Sequence, residues 1–128
     1  MTKPTPIPTD SELEILQVLW QNGHSTVRFV NEELNKRKVA GYTTTLKLMQ
    51  IMLEKGIVVR DEENRTHVYA AAINEDVAQR KLLDRFMDAT FRGSAMKLVV
   101  QALGSGKTSK EELDEIKKLI NQMEGGTK

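Results

Sequence analysis

The chain contains no cysteine. That removes a disulfide framework, a thiolate metal site, a cysteine nucleophile and thiol-based redox sensing together. Aromatic residues make up 5% of the sequence, too few for a pocket lined by tyrosine and tryptophan. Histidine is almost as scarce: His24 falls in an expected turn and His67 in an expected strand, neither with an HxxxH or HxH companion. A lone histidine is far more often a surface or packing residue than a ligand, so no metal site and no cofactor are expected. No apolar run approaches the roughly 20 residues of a membrane helix, and the N-terminal residues lack the apolar segment of a secretory signal. A cytoplasmic location is the expectation that follows. No nucleophile–base pair is visible, and the GSGKTS stretch at 104–109 lacks the full GxxxxGK[ST] pattern and follows no strand, which makes it a linker rather than a phosphate loop. An enzyme is therefore not expected.

What is present suits a globular protein of 128 residues, 39% hydrophobic and 29% charged, with room for one small domain and an oligomerisation extension. The net charge is only +1, but its distribution is uneven. Between Leu34 and Arg60 stand six basic residues, Lys36, Arg37, Lys38, Lys47, Lys55 and Arg60, against the single acid Glu54, a local excess of +5. Asp61, Glu62 and Glu63 follow at once and partly oppose it. Phosphate attraction by one copy of the chain is expected to be modest.

Residues 1–8 alternate proline with small or apolar residues and read as an extended arm. Thr9 and Glu12 fit a capping box, with Leu13, Leu16, Leu19 and Trp20 as the buried stripe of a first helix running to about Gln21. Asn22-Gly23 ends it. Ser25 is the expected cap of a second helix burying Val27, Val30 and Leu34, with Phe29 a further candidate. The basic residues 36–38 near its end suit the helix dipole as well as they suit phosphate contact. A third helix runs from the Tyr42 threonine run to Lys55, with the threonine hydroxyls as caps and Gly56 as the stop. At about 100° per residue, Thr45, Leu46, Met49, Met52 and Leu53 share one side. Thr43, Thr44, Lys47, Gln50 and Glu54 share the other, with Leu48 and Ile51 at the margins. Short hydroxyls beside a lysine and a glutamine can approach base edges and phosphates without obstruction. The same face equally suits an ordinary solvated helix. The β-branched run Ile57 to Val59 and the alternation from Thr66 to Tyr69 read as a hairpin turning at Asn64. Three helices and a hairpin in this order form a winged helix-turn-helix, which raises DNA binding above what the charge alone suggests.

From Asn74 to Phe91 a long helix is expected, broken by Gly93, then one from Ser94 through Leu103, then one capped by Ser109 and Glu112. Leu82, Leu83, Phe86, Phe91, Leu98, Val99, Leu113, Ile116, Leu119 and Ile120 give these helices more apolar surface than some 50 residues can bury internally. A second copy of the chain is the simplest cover, because two-fold homodimers are the commonest soluble oligomers. The fold class expected is mainly α with a small β-hairpin: a winged helix-turn-helix domain over 1–73 and a three-helix dimerisation region over 74–128. A winged-helix module that binds an acidic protein partner instead of DNA fits the same pattern.

YTTTLKLMQIMLEKG followed by VVRDEENRTHVYAA resembles the penicillinase repressor family (BlaI/MecI/CopY), and SELEILQVLW resembles its first helix. The resemblance covers nearly the whole chain. It implies a homodimeric, bacterial-type transcriptional repressor that binds a palindromic double-stranded operator. Thr43, Thr44 and Lys47 would fall at major-groove positions, flanked by Tyr42 and Gln50, with Arg65 at the wing's backbone-contacting position. Copper-responsive members carry C-terminal cysteines, absent here. Antibiotic-responsive members are cleaved at an asparagine–phenylalanine bond in the middle C-terminal helix. Gln101-Ala102 aligns with that bond, and a membrane sensor protease is the further partner the resemblance implies.

Overall fold

The computed structural model describes residues 7–63 and 66–125. Within them the chain forms α1 (Asp10–Asn22), α2 (Val27–Asn35), α3 (Tyr42–Lys55), β1 (Val58–Asp61), β2 (Val68–Ala71), α4 (Glu75–Phe91), α5 (Ala95–Gly104) and α6 (Lys110–Gly125). The architecture is mainly α with one antiparallel β-hairpin, the expected winged helix-turn-helix order. Two compact units divide it, Met1–Leu83 and Asp84–Lys128, so the boundary falls inside α4.

In the first unit the capping box forms as written: Glu12 N donates to Thr9 Oγ1 at 3.2 Å and Thr9 N to Glu12 Oε1 at 2.9 Å. The buried stripe of α1 differs from expectation. Ile15, Leu16 and Leu19 are buried and so is Glu12, while Leu13 and Trp20 are only half-buried. Trp20 keeps a polar exit, its Nε1 donating to Ile73 O at 3.0 Å, which ties α1 to the segment entering α4. Ser25 is not the cap of α2. Thr26 takes that role by accepting from Phe29 N at 3.1 Å, and Ser25 pairs with Tyr69 instead, Ser25 N donating to Tyr69 O at 2.9 Å and Tyr69 N to Ser25 O at 2.8 Å. Two adjacent hydroxyl residues offered two caps, and the one that faces β2 was taken up by the sheet. Val27 and Val30 are buried, Leu34 is half-buried and Phe29 is exposed.

The threonines of α3 do not cap it either; Gly41 is the N-cap and no side chain reaches the free amides. The far end closes as expected, Gly56 in the left-handed region at φ 80°, a conformation without steric cost only for glycine. The hairpin pairs Val58 with Ala71 and Arg60 with Tyr69. Tyr69 is thus bonded to β1 on one side and to Ser25 on the other, which anchors the wing to the start of α2. The apolar core, built from Ile15, Leu16, Leu19, Val30, Met49, Met52, Ile57, Val58 and Tyr69 among others, lies where these elements meet.

The second unit is built differently. Its helix starts are legible, Ser94 capping α5 by accepting from Lys97 N and Ser109 capping α6 by accepting from Glu112 N at 3.1 Å. α4 ends earlier than its glycine: Arg92 already stands in the left-handed region at φ 52°, followed by Gly93 at φ 80°, and Gly93 N donates back to Met87 O at 3.0 Å. Among the described residues of this unit none is buried.

Candidate nucleic-acid interface

α3 has two chemically distinct sides. Thr45, Met49 and Met52 are buried, with Leu46, Leu48, Ile51 and Leu53 half-buried beside them. Thr43, Thr44, Lys47, Gln50 and Glu54 are exposed on the opposite side, while Tyr42, on the same side as Leu46 and Met49, is exposed at the N-terminal end of the helix. This is the division that the helical period dictates. The C-terminal end of α3 is held by an ion pair to α1, where Lys55 Nζ donates to both carboxylate oxygens of Glu12 at 2.8 and 3.0 Å. Burial would push the Glu12 carboxyl up, but the Lys55 and Thr9 hydrogen bonds outweigh it and hold the group below its ordinary value.

The basic cluster is less free than its residue count implies. Lys36 pairs with Glu33, Lys38 with Glu14 at 3.6 Å, Lys55 with Glu12, and Arg60 with Glu62. Arg60 is held still more firmly protonated by the Tyr69 hydroxyl and then by Glu62. Among the described residues, only Arg37 and Lys47 of the six have no ion-pair partner. The window from 34 to 60 concealed this because Glu12, Glu14 and Glu33 lie outside it. Only the Glu33–Lys36 spacing was readable as a helical i,i+3 pair.

The beginning of α2, the beginning of α3 and the segment leading into β2 line an open groove of about 540 Å³, with Thr26, Arg28, Tyr42, Leu46, Thr66 and His67 on its walls. Sequence reasoning placed Tyr42 at an interface but passed over Arg28 and His67. Arg28 touches Glu32 at 3.7 Å with both side chains well exposed, an arrangement that holds the guanidinium weakly. The cue that could have found Arg28 is its position directly after the cap residue and Val27, in the first turn of α2. Asn64 and Arg65 lie outside the described residues.

The apolar residues assigned to dimerisation divide by exposure. Leu82, Phe91, Leu98 and Ile116 are half-buried, while Leu83, Phe86, Val99, Leu113, Leu119 and Ile120 are exposed, Leu119 to 55%. The Phe86 and Phe91 rings meet edge to face at 5.6 Å. Gln101 and Ala102 are exposed within α5. Among the described residues no group of three or more His, Cys, Asp or Glu side chains could hold a metal ion, and no helix is long and apolar enough to cross a membrane.

The model of the penicillinase repressor family matches residues 8–122. The chain belongs to the penicillinase repressor family. The penicillinase repressor of Bacillus licheniformis is 26% identical over 124 residues, 94% of this chain and 94% of that protein. The methicillin resistance regulatory protein MecI of Staphylococcus aureus is 20% identical over 114 residues, 89% of this chain and 93% of its own length. In structure, the DNA-binding domain of the repressor BlaI is similar at a TM-score of 0.51 and 28% identity, over 58% of this chain and 90% of that domain. The monomeric form of Bacillus licheniformis BlaI in complex with the blaP half-operator is similar at a TM-score of 0.50 and 28% identity, over 59% and 92%. Family membership makes this chain a transcriptional repressor and not an enzyme.

Proposed function

We propose that the chain represses transcription as a homodimer on a palindromic operator, each copy laying α3 in a major groove and its wing along the adjacent backbone. The observation that carries this reading is the exposed face of α3. Thr43 and Thr44 present short hydroxyls, Gln50 an amide and Lys47 a cation with no ion-pair partner among the described residues. Hydroxyls and amides bond base edges, while an unpaired lysine reaches a base acceptor or a phosphate. Tyr42 lines the groove shared with Arg28 and His67, and the family resemblance assigns backbone contact to Arg65. That the similar BlaI chain forms a complex with a half-operator supports DNA as the partner.

Two copies are needed because one carries so few free cations. The residues proposed for pairing are those the second unit leaves uncovered, among them Phe86, Val99, Leu119 and Ile120. The DNA-reading function is placed in residues 1–73 and the pairing function in 74–128. Release follows from a signal that acts on the pairing region, with proteolysis by a membrane sensor protease within residues 95–103 as its form; the exposed Gln101–Ala102 bond stands where the family's asparagine–phenylalanine bond is cleaved but departs from it in sequence. Such a cut weakens the dimer without touching α3. A repressor of this kind works in the cytoplasm, beside the DNA.

The test is binding of the full chain to duplexes from the region upstream of its own gene, with ionic strength varied. Sequence-specific retention whose affinity falls with salt is expected. Retention of acidic proteins but of no duplex overturns the reading in favour of a protein-interaction module.

A further inference from the structure

Between α2 and α3 lies a polar network that packing alone does not call for. Thr45 sits in the buried stripe of α3, 1% exposed, where its neighbours along the stripe are Met49 and Met52. Its Oγ1 accepts a hydrogen bond from Asn31 Nδ2 at 3.0 Å, and the same amide donates to Ala40 O at 3.0 Å. Asn35, one turn along α2, grips Ala40 from both sides of its residue. Its Nδ2 donates to Ala40 O at 2.9 Å, and its Oδ1 accepts from Ala40 N at 3.0 Å. The two asparagines are themselves joined, Asn35 Nδ2 donating to Asn31 O at 2.8 Å. The backbone just before α3 is thus held by side chains of α2, and the first turn of α3 is pinned by a hydroxyl.

This matters because α3 has no start signal of its own. Gly41 is its N-cap and no side chain caps the free amides. Apolar contact is non-directional and tolerates small rotations of a helix in its seat, whereas a hydrogen bond weakens steeply with angle. Buried polar groups are best attested in this role, fixing register where hydrophobic packing leaves a choice. We propose that Asn31, Asn35 and Thr45 are positioning residues for sequence reading: together they set where α3 begins and its rotation about its own axis. The rotation decides which way Thr43, Thr44 and Lys47 point. None of the three positioning residues need touch DNA, and the proposal rests on α3 being the reading element.

The consequence separates specific from non-specific affinity. Base contacts depend on the angle of α3, while a lysine reaching for phosphate depends on it far less. The experiment uses the full chain, the tightest duplex it selects from a randomised library, and a random duplex of equal length. Thr45→Val keeps volume and shape but removes the acceptor. The expected result is a fall of about tenfold in preference for the selected duplex, with affinity for the random duplex within about twofold. Thr45→Ser restores the preference, and Asn35→Ala, an exposed change, lowers it as Thr45→Val does. Thr43→Ala provides the cross-check: it costs less on the selected duplex in the Thr45→Val background than alone, because the two changes are coupled. An unchanged preference in Thr45→Val and Asn35→Ala overturns the proposal. So do equal losses on both duplexes that track a drop in thermal midpoint, since a purely structural bond gives that result. If the wild-type chain selects no duplex at all, it is the DNA reading that fails, a result distinct from either of these.

Discussion

Glu12 is the residue at which two separate demands meet. Its backbone amide and carboxylate complete the capping box of α1, and the same carboxylate, 2% exposed, receives Lys55 from the far end of α3. A carboxylate taken out of water is tolerable only with such partners. Lys55→Met leaves it buried with no counter-charge, and a loss of about 1.5–3 kcal/mol is expected, the range for hydrogen bonds to charged groups; equilibrium urea unfolding measures it. The pH dependence has a definite sign. The Glu12 carboxyl is held below its ordinary 4.5, so the unfolded chain takes up the proton first as pH falls. Its contribution is fully present above about that value and is lost as pH drops through the folded-state value. Unfolding midpoints of wild type and Glu12→Gln, followed from neutral pH to pH 3, should converge on the acid side. A gap that stays constant across the range refutes the linkage. Lys47 poses the opposite case, an exposed side chain with no ion-pair partner among the described residues. Lys47→Ala should leave stability within about 0.5 kcal/mol and weaken operator binding by about 1–3 kcal/mol, read by fluorescence anisotropy at fixed salt. Undiminished affinity removes α3 from the interface.

Among the elements, caps completed within their own turn were legible in the sequence and side-chain partnerships between elements were not. Thr9 with Glu12, Ser94, and Ser109 with Glu112 cap the helices that their spacing predicted, because a cap is satisfied within three residues of itself. Ser25 and Thr26 show the limit. Both can cap, and the choice was made by Tyr69, more than forty residues away, which no local pattern reports. Thr45 is similar: the period placed it correctly on the buried side, but its bond to Asn31 required knowing how α2 crosses α3. The amphipathic division of α3 was readable for the converse reason, since it needs only the helical period. The end of α4 carries its own prediction. Arg92 occupies a left-handed conformation at φ 52°, which costs an L-residue with a Cβ about 1–2 kcal/mol. Glycine is the residue this helix-end position favours, so Arg92→Gly should stabilise the chain by about 1 kcal/mol. A thermal midpoint that falls would mean the arginine side chain holds more than the backbone loses.

At the scale of the whole molecule, the proposed repressor draws its affinity from pairing two weak reading heads. The first unit has a core and the second has none among its described residues, with Leu119, Ile120 and Met123 exposed to between 48% and 63% along α6. In the proposed dimer this is the apolar face that a second copy covers. In the proposed dimer, once one copy is bound the second meets its half-site at an effective concentration set by the linkage, and avidity gains of about 10²–10⁴ are ordinary for linked sites. Leu119→Asp places a charge in the proposed seam and should yield monomers by sedimentation. Its affinity for a single half-site should stay near that of wild type, while affinity for the full palindrome should drop by about 10² or more. The ratio of full-site to half-site affinity is therefore the decisive quantity, because loss of folding lowers both numbers and loss of pairing lowers one. A monomer that still holds the full palindrome as tightly as wild type would show that α3 and the wing suffice alone, and control of repression would then have to act on the reading unit itself.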